Sequence, residues 1–169
     1  MYQRIVVSLD GSALAEAALP HALQMARLTR APLHIVRVVD ASVAYSTYGT
    51  YGTYGMAGGY MPMADMFEED RRTAAEYLES TQSRLADDVV SVTTELRDGQ
   101  VAREIVAATA EHDLLVMTSH GRGGLERWFM GSVAEEVTRH ATVPVLLIRL
   151  NEDDLQMQHE AVDAAVLAV

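Results

Sequence analysis

Leu114-Leu115-Val116-Met117-Thr118-Ser119-His120-Gly121-Arg122-Gly123-Gly124-Leu125-Glu126-Arg127-Trp128-Phe129-Met130-Gly131-Ser132 passes from an apolar run, through a glycine-rich stretch, to a helix start. The unbroken apolar run reads as a strand covered on both faces, because a half-exposed strand would alternate. Ser132-Val133-Ala134-Glu135 has the Ser-x-x-Glu form of a capping box and opens a helix to about His140. Between strand and helix, unpaired N–H groups and the positive helix end favour an anion, and glycines let the backbone approach it. The first expectation is a phosphate cradle.

The same grammar recurs outward along the chain. Ile5-Val6-Val7 followed by Ser8-Leu9-Asp10 reads as a buried strand with a polar end, over about residues 4–10. Gly11 turns the chain, and Ser12 caps a helix to about Thr29 that Pro20 is expected to kink. Leu33 to Val39 is the second strand. The segment 41–64, with Tyr48-Gly49-Thr50, Tyr51-Gly52-Thr53 and Tyr54-Gly55, has no face to bury and is expected to be a flexible loop. A sharper reading makes it a lid whose tyrosines stack on a bound base or a partner. Asp65-Met66-Phe67-Glu68 is a second capping box, for a helix to about Ala86 with Phe67, Ala74, Leu78 and Leu85 on its apolar face.

Val89 to Leu96 is the third predicted strand, turned by Asp98-Gly99. A helix through Val101, Ile105 and Ala108 then leads back to the opening stretch. Val143 to Ile148 makes a fifth strand, and Pro144 near its start favours an edge. The β-α-β alternation predicts an α/β fold, an open five-stranded parallel sheet with helices on both faces. The expected arrangement is Rossmann-like, in strand order 3-2-1-4-5. Ligands in such sheets sit beyond the carboxyl ends of the strands where the winding reverses. That rule puts Asp10 and the glycine-rich stretch at one crevice.

Composition narrows what the crevice can do. The 13 basic residues are all arginine and the net charge is −11, which argues against a general nucleic-acid surface. Without lysine there is no Walker-type phosphate lysine, Schiff base or lysine general base. Without cysteine there is no disulfide, thiolate nucleophile or cysteine metal site. Arg122 and Arg127 are the candidate cations for a bound phosphate. The remaining histidines lack metal-ligand spacing, so no metal site of the protein's own is expected. No run is long enough to span a membrane, and the N-terminus lacks a signal-peptide layout, so a cytoplasmic location is the expectation.

Residues from about Gln3 to Arg149 resemble the universal stress protein family. The resemblance rests on Ser119-His120-Gly121-Arg122-Gly123-Gly124-Leu125, on Gly131-Ser132-Val133-Ala134-Glu135, and on His140 with Val143-Pro144-Val145-Leu146. The family's nucleotide-binding branch is similar in carrying Gly-x2-Gly-x9-Gly-[Ser/Thr]. Gly121, Gly131 and Ser132 meet that spacing, while Thr118 stands where the first glycine falls. The resemblance implies an ATP-binding protein, or one for another adenine nucleotide, with Mg2+ held by the phosphates. Its expected contacts are Asp10, Val38, Met117, Thr118, Gly121, Arg122, Gly131, Ser132 and Val133. It also implies a homodimer paired through the edge strand 143–148, and so apolar an edge is otherwise an aggregation hazard.

The domain is therefore expected over 1–150, followed by an acidic-then-apolar tail, 151–169. For that tail disorder is the plainer expectation, and a weak helix with Leu155, Val162 and Val166 on one face is the alternative. The leading functional reading is a nucleotide-responsive sensor or regulator, with an unidentified protein partner. A slow ATP hydrolase or phosphotransfer enzyme and a nucleotide-free dimerisation module are the alternatives. His120 beside the glycines invites a general-base role, but no Ser/His/Asp arrangement accompanies it and no catalytic residue is assigned.

Overall fold

The computed structural model describes residues 1–41, 63–86, 90–119 and 130–149. Five parallel strands, β1 (Arg4–Ser8), β2 (Leu33–Asp40), β3 (Val92–Gly99), β4 (Asp113–Thr118) and β5 (Val145–Ile148), form one sheet in the order β3-β2-β1-β4-β5. The expected order is observed. The helices are α1 (Ala13–Glu16), α2 (Ala18–Thr29), α3 (Met63–Arg84), α4 (Val101–Ala107) and α5 (Ser132–His140).

Alternate residues of the buried strands serve two cores. Ile5, Val7, Leu33, Ile35, Leu114 and Val116 pack with Ala18, Ala22 and Ala26 of α2 and Leu78 of α3. Val6, Val36, Leu115 and Met117 face the other way, onto Ala102 and Ile105 of α4 and Ala134 and Val137 of α5. This two-sided burial is why β1, β2 and β4 read as continuous apolar runs. Alanines four residues apart on α2 present a flat stripe on which the helix can lie close to the sheet.

The expected helix from Ser12 to Thr29 is two helices, broken at Ala17. Pro20 is the cause that sequence suggested, but its effect lies upstream. A continuous helix would need a Pro20 N–H to reach Glu16. Restarting at Ala18 makes Pro20 the third residue of α2, where no intrahelical N–H bond is required.

Other boundaries differ for local reasons. The third strand begins at Val92, three residues later than expected, and includes Asp98 and Gly99 because β2 pairs with it through Asp40↔Gly99. Helix α3 already runs at Met63, so Asp65 lies in its first turn and does not cap it, and the predicted loop ends earlier than 64. The cap of α5 is Gly131 and not Ser132, which is the first helical residue. Residues 42–62 of the predicted loop, Val89 and the tail 151–169 lie outside the described residues, while Val90 and Ser91 are described and precede β3.

Edge strand β3 is polar, and its side chains are tied across and along the sheet. His34 on β2 has Nδ1 2.8 Å from Thr93 Oγ1 and Nε2 3.0 Å from Glu95 Oε2. Arg97 donates to Glu95 at 2.6 Å and to Glu104 of α4 at 2.9 Å. Burial by itself would raise the Glu95 carboxyl, but hydrogen bonds and charge from His34 and Arg97 outweigh it and hold it below its ordinary value. A lowered carboxyl contributes stability above its unfolded pKa and loses it as pH falls through the folded one. Thermal melts taken from neutral pH into the acid range should therefore lose midpoint temperature more steeply for the parent than for Glu95→Gln. Parallel curves would remove Glu95 from the acid sensitivity.

Candidate functional site

The sheet winds outward from β1 in both directions, to β2 on one side and β4 on the other. The crevice at this reversal lies beyond the ends of β1 and β4. On the β1 side, Leu9 N–H donates to the Val36 carbonyl at 2.9 Å as the chain leaves the sheet. Asp10 then accepts at one oxygen, Oδ1, from the Ser12 N–H at 2.8 Å and the Ser12 hydroxyl at 2.6 Å. Ser12 Oγ in turn accepts from Ala15 N–H at 3.1 Å, the cap expected of it. Asp10 is thus the organiser of the turn into α1.

Val38 stands two residues beyond Val36 on β2, where β1 has ended. Main-chain groups two residues apart on a strand point the same way, so those of Val38 face the β1 side beyond the last rung. Its side chain packs against the second core. On the β4 side, Met117 and Thr118 are buried, so Met117 offers the crevice main-chain groups and not its thioether.

Ser119 performs the closure that matters most. Its N–H donates to the Ile148 carbonyl at 2.8 Å, and its carbonyl accepts the Gly131 N–H at 2.9 Å. Whatever path the chain takes over 120–130, it returns to the strand it left. The N-terminus of α5 is thereby set at the carboxyl end of β4. Gly131 caps without a side chain, and its φ of −58° is open to any residue, so glycine contributes absence of bulk and not special backbone geometry. Ser132 is exposed, and Val133 turns its side chain into the second core while its N–H lies in the first helical turn. Glu135 in the first turn and Arg139 and His140 in the last complement the helix dipole.

The structure brings together Asp10, Val38, Met117, Thr118, Gly131, Ser132 and Val133 at this end of the sheet. Gly121 and Arg122, with His120, Arg127, Trp128 and Phe129, lie outside the described residues. Two hollows found among the described residues are at the opposite, amino end. One is lined by Tyr2, His112, Asp113 and Pro144 among others, and the other by Arg27, Arg30, Pro32 and Ser91 among others. Neither includes a predicted site residue.

One residue of this end escaped the sequence reading. Arg37 is only 7% exposed, and its guanidinium lies against Gly11. Its Cζ sits 4.9 Å from the centroid of the Tyr77 ring on α3. Tyr77 donates to Glu16 at 2.8 Å, and Arg84 donates to the same carboxylate oxygen at 3.0 Å. Burial, reinforced by Glu16, pushes the Tyr77 phenol up, so it stays neutral and donating. The available signal was a lone charge inside Ile35-Val36-Arg37-Val38-Val39, since arginine is almost never fully buried without a partner. Among the described residues no cluster of three His, Asp or Glu side chains is arranged to hold a metal, and no helix is long and apolar enough to cross a membrane.

Comparison with known proteins agrees with this architecture. Residues 1–149 match the universal stress protein family. A universal stress protein of Methanocaldococcus jannaschii is 31% identical over 151 residues, covering 88% of this chain and 83% of that protein. The solved structure of a universal stress family protein from Burkholderia pseudomallei is 31% identical with a TM-score of 0.63, covering 87% of this chain and 96% of that one. A universal stress protein from Archaeoglobus fulgidus, solved in complex with dAMP, has a TM-score of 0.58 at 24% identity, covering 87% of this chain and 98% of that one. The solved structure of a universal stress protein in complex with cAMP has a TM-score of 0.52 at 22% identity, covering 89% of this chain and 98% of that one. With residues 1–149 matched, the chain belongs to the universal stress protein family.

Proposed function

We propose that this chain binds an adenine nucleotide, ATP in the first instance, at the carboxyl end of β1 and β4, and acts as a nucleotide-responsive regulator. The observation that carries the reading is the Ser119–Gly131 hydrogen bond. It presents the first turn of α5, which has no side-chain cap, one strand away from the Asp10 turn. Phosphates suit the N–H groups of Ser132 and Val133 together with Gly121 and Arg122, with Mg2+ carried on the phosphates. The nucleoside suits Asp10 and the main chain of Val38, Met117 and Thr118. Support also comes from the relatives solved with dAMP and cAMP.

In this proposal the active species is a homodimer through β5, whose residues Val145, Leu146, Leu147 and Ile148 are apolar and only partly buried in the single chain. The site is built for binding more than for turnover, since a chain without lysine leaves the phosphates to backbone N–H groups and arginine. Mass spectrometry of gently purified protein should find co-purifying ATP, ADP or AMP. Calorimetry should show ATP affinity falling by about tenfold or more in both Asp10→Ala and Gly131→Ala, the expected loss for a charge-assisted hydrogen bond or a blocked phosphate approach. Unchanged affinity in both variants places the nucleotide elsewhere, and an empty dimer makes the chain a dimerisation module.

A further inference from the structure

We propose that Arg37 is a positioning residue of this nucleotide site, holding the Asp10–Gly11 turn in the shape that receives the nucleoside. The inference rests on the proposed nucleotide site, and it concerns a residue on a different strand from the glycine motif. A Cβ built on Gly11 would lie 2.9 Å from Arg37 Nη1, 3.2 Å from Cζ and 3.3 Å from Nη2. Three guanidinium atoms at nearly equal distance mean that the planar group lies broadside beneath the glycine. Gly11 has φ +83°, a conformation that side-chain-bearing residues seldom adopt, so the turn is sharp and has a flat cation as its floor.

That floor is itself fixed. The guanidinium lies over the Tyr77 ring, an arrangement favoured by the negative face of the aromatic system. The Tyr77 hydroxyl is held by Glu16 of α1, and Glu16 is held by Arg84 from the far end of α3. The turn that orients the Asp10 carboxylate is therefore braced from below by β2 and α3, and from its C-terminal side by α1. Arginine suits this position where lysine does not, because only a planar group can lie flat against both a glycine and a ring. Arg37 acts through Asp10, and its effect belongs at the nucleoside end of the ligand.

The test measures adenosine and ATP affinities by calorimetry in the full chain. Arg37→Met should weaken both ligands by the same factor, about tenfold, because the lost order is at the end they share. In an Asp10→Ala background the same substitution should cost less than about threefold more, since a residue acting through Asp10 has little left to position. Arg37→Lys should fail to restore binding fully. Should Arg37→Met fold poorly, Tyr77→Leu leaves the arginine but removes its platform and should weaken both ligands about threefold. A loss confined to ATP, full additivity with Asp10→Ala, or parent-like affinity in both Arg37→Met and Tyr77→Leu overturns the proposal. A parent protein that binds neither ligand overturns the nucleotide site itself, and that outcome is visible before any variant is made.

Discussion

Asp113→Ala is expected to lower the free energy of unfolding by about 3 kcal/mol, the lower end of the scale for stripping one partner from a buried ion pair, because the Arg4 side chain is 30% exposed while that of Asp113 is buried. The Asp113 carboxylate is 2% exposed at the start of β4 and receives Arg4 Nη2 at 2.6 Å and Nε at 3.1 Å. It also accepts the Ala110 N–H at 2.8 Å, while Arg4 Nη2 reaches the Ala108 carbonyl at 2.9 Å. One carboxylate thus joins the first strand of the chain to the turn before β4, across the strand pair that makes the crevice. Removing it takes the acceptor from the Ala110 N–H and the counter-charge from Arg4, which keeps the Ala108 carbonyl. For a chain of this size that is roughly a 6–12 °C loss in Tm. Asp113→Leu combined with Arg4→Met should be milder than Asp113→Ala, because both charges go together. Denaturant unfolding of the three proteins decides it, and an Asp113→Ala loss within about 1 kcal/mol of zero would show that solvent reaches Arg4 well enough to replace the carboxylate.

Gly11→Val is expected to abolish nucleotide binding and to cost about 2–4 kcal/mol of stability. Two independent terms add. A β-branched residue at φ +83° is strained by roughly 1–3 kcal/mol, and its Cβ would press to 2.9 Å of Arg37 Nη1. The chain can relieve the contact only by moving the turn or the buried guanidinium, and either displaces Asp10. Binding titrations should show at least a hundredfold loss of ATP affinity, equal to about 2.7 kcal/mol. Gly11→Ala made in the parent and in an Arg37→Ala background separates the terms, since in the second the clash is removed and the backbone strain stays. A smaller cost of Gly11→Ala in that background assigns the cost to the contact, and an equal cost assigns it to φ.

The elements that were legible in sequence are those whose environment is uniform. β1, β2 and β4 lie under helices on both faces, so their composition alone announces them, and the switch-point rule then puts Asp10 beside the end of β4. β3 was misplaced by three residues because an edge strand need not be apolar. Thr93, Glu95 and Arg97 are held by His34 and Glu104, partners remote in sequence. The box at Ser132 misled for a simpler reason: Gly131 takes the cap position, so a motif written in side chains was satisfied one residue early by a residue with none.

In the site, sequence sought positive charge where glycines are, at Arg122 and Arg127. Among the described residues the buried cation at this end of the sheet is Arg37, whose neighbours Gly11 and Tyr77 are tertiary contacts that no local pattern encodes. Periodicity finds faces of elements, and it cannot say which side chain crosses from one element to the turn of another.

The Ser119–Gly131 hydrogen bond separates the architecture from whatever is written between its ends. Residues 120–130 run between two main-chain groups 2.9 Å apart, the Ser119 carbonyl just past β4 and the Gly131 N–H at the cap of α5. A segment anchored in this way can be lengthened, shortened or exchanged with little effect on the sheet, because doubling a closed loop costs only about 0.6 kcal/mol. Replacement of that one segment should therefore leave the sheet, the turn at Asp10 and the buried Arg37 in place.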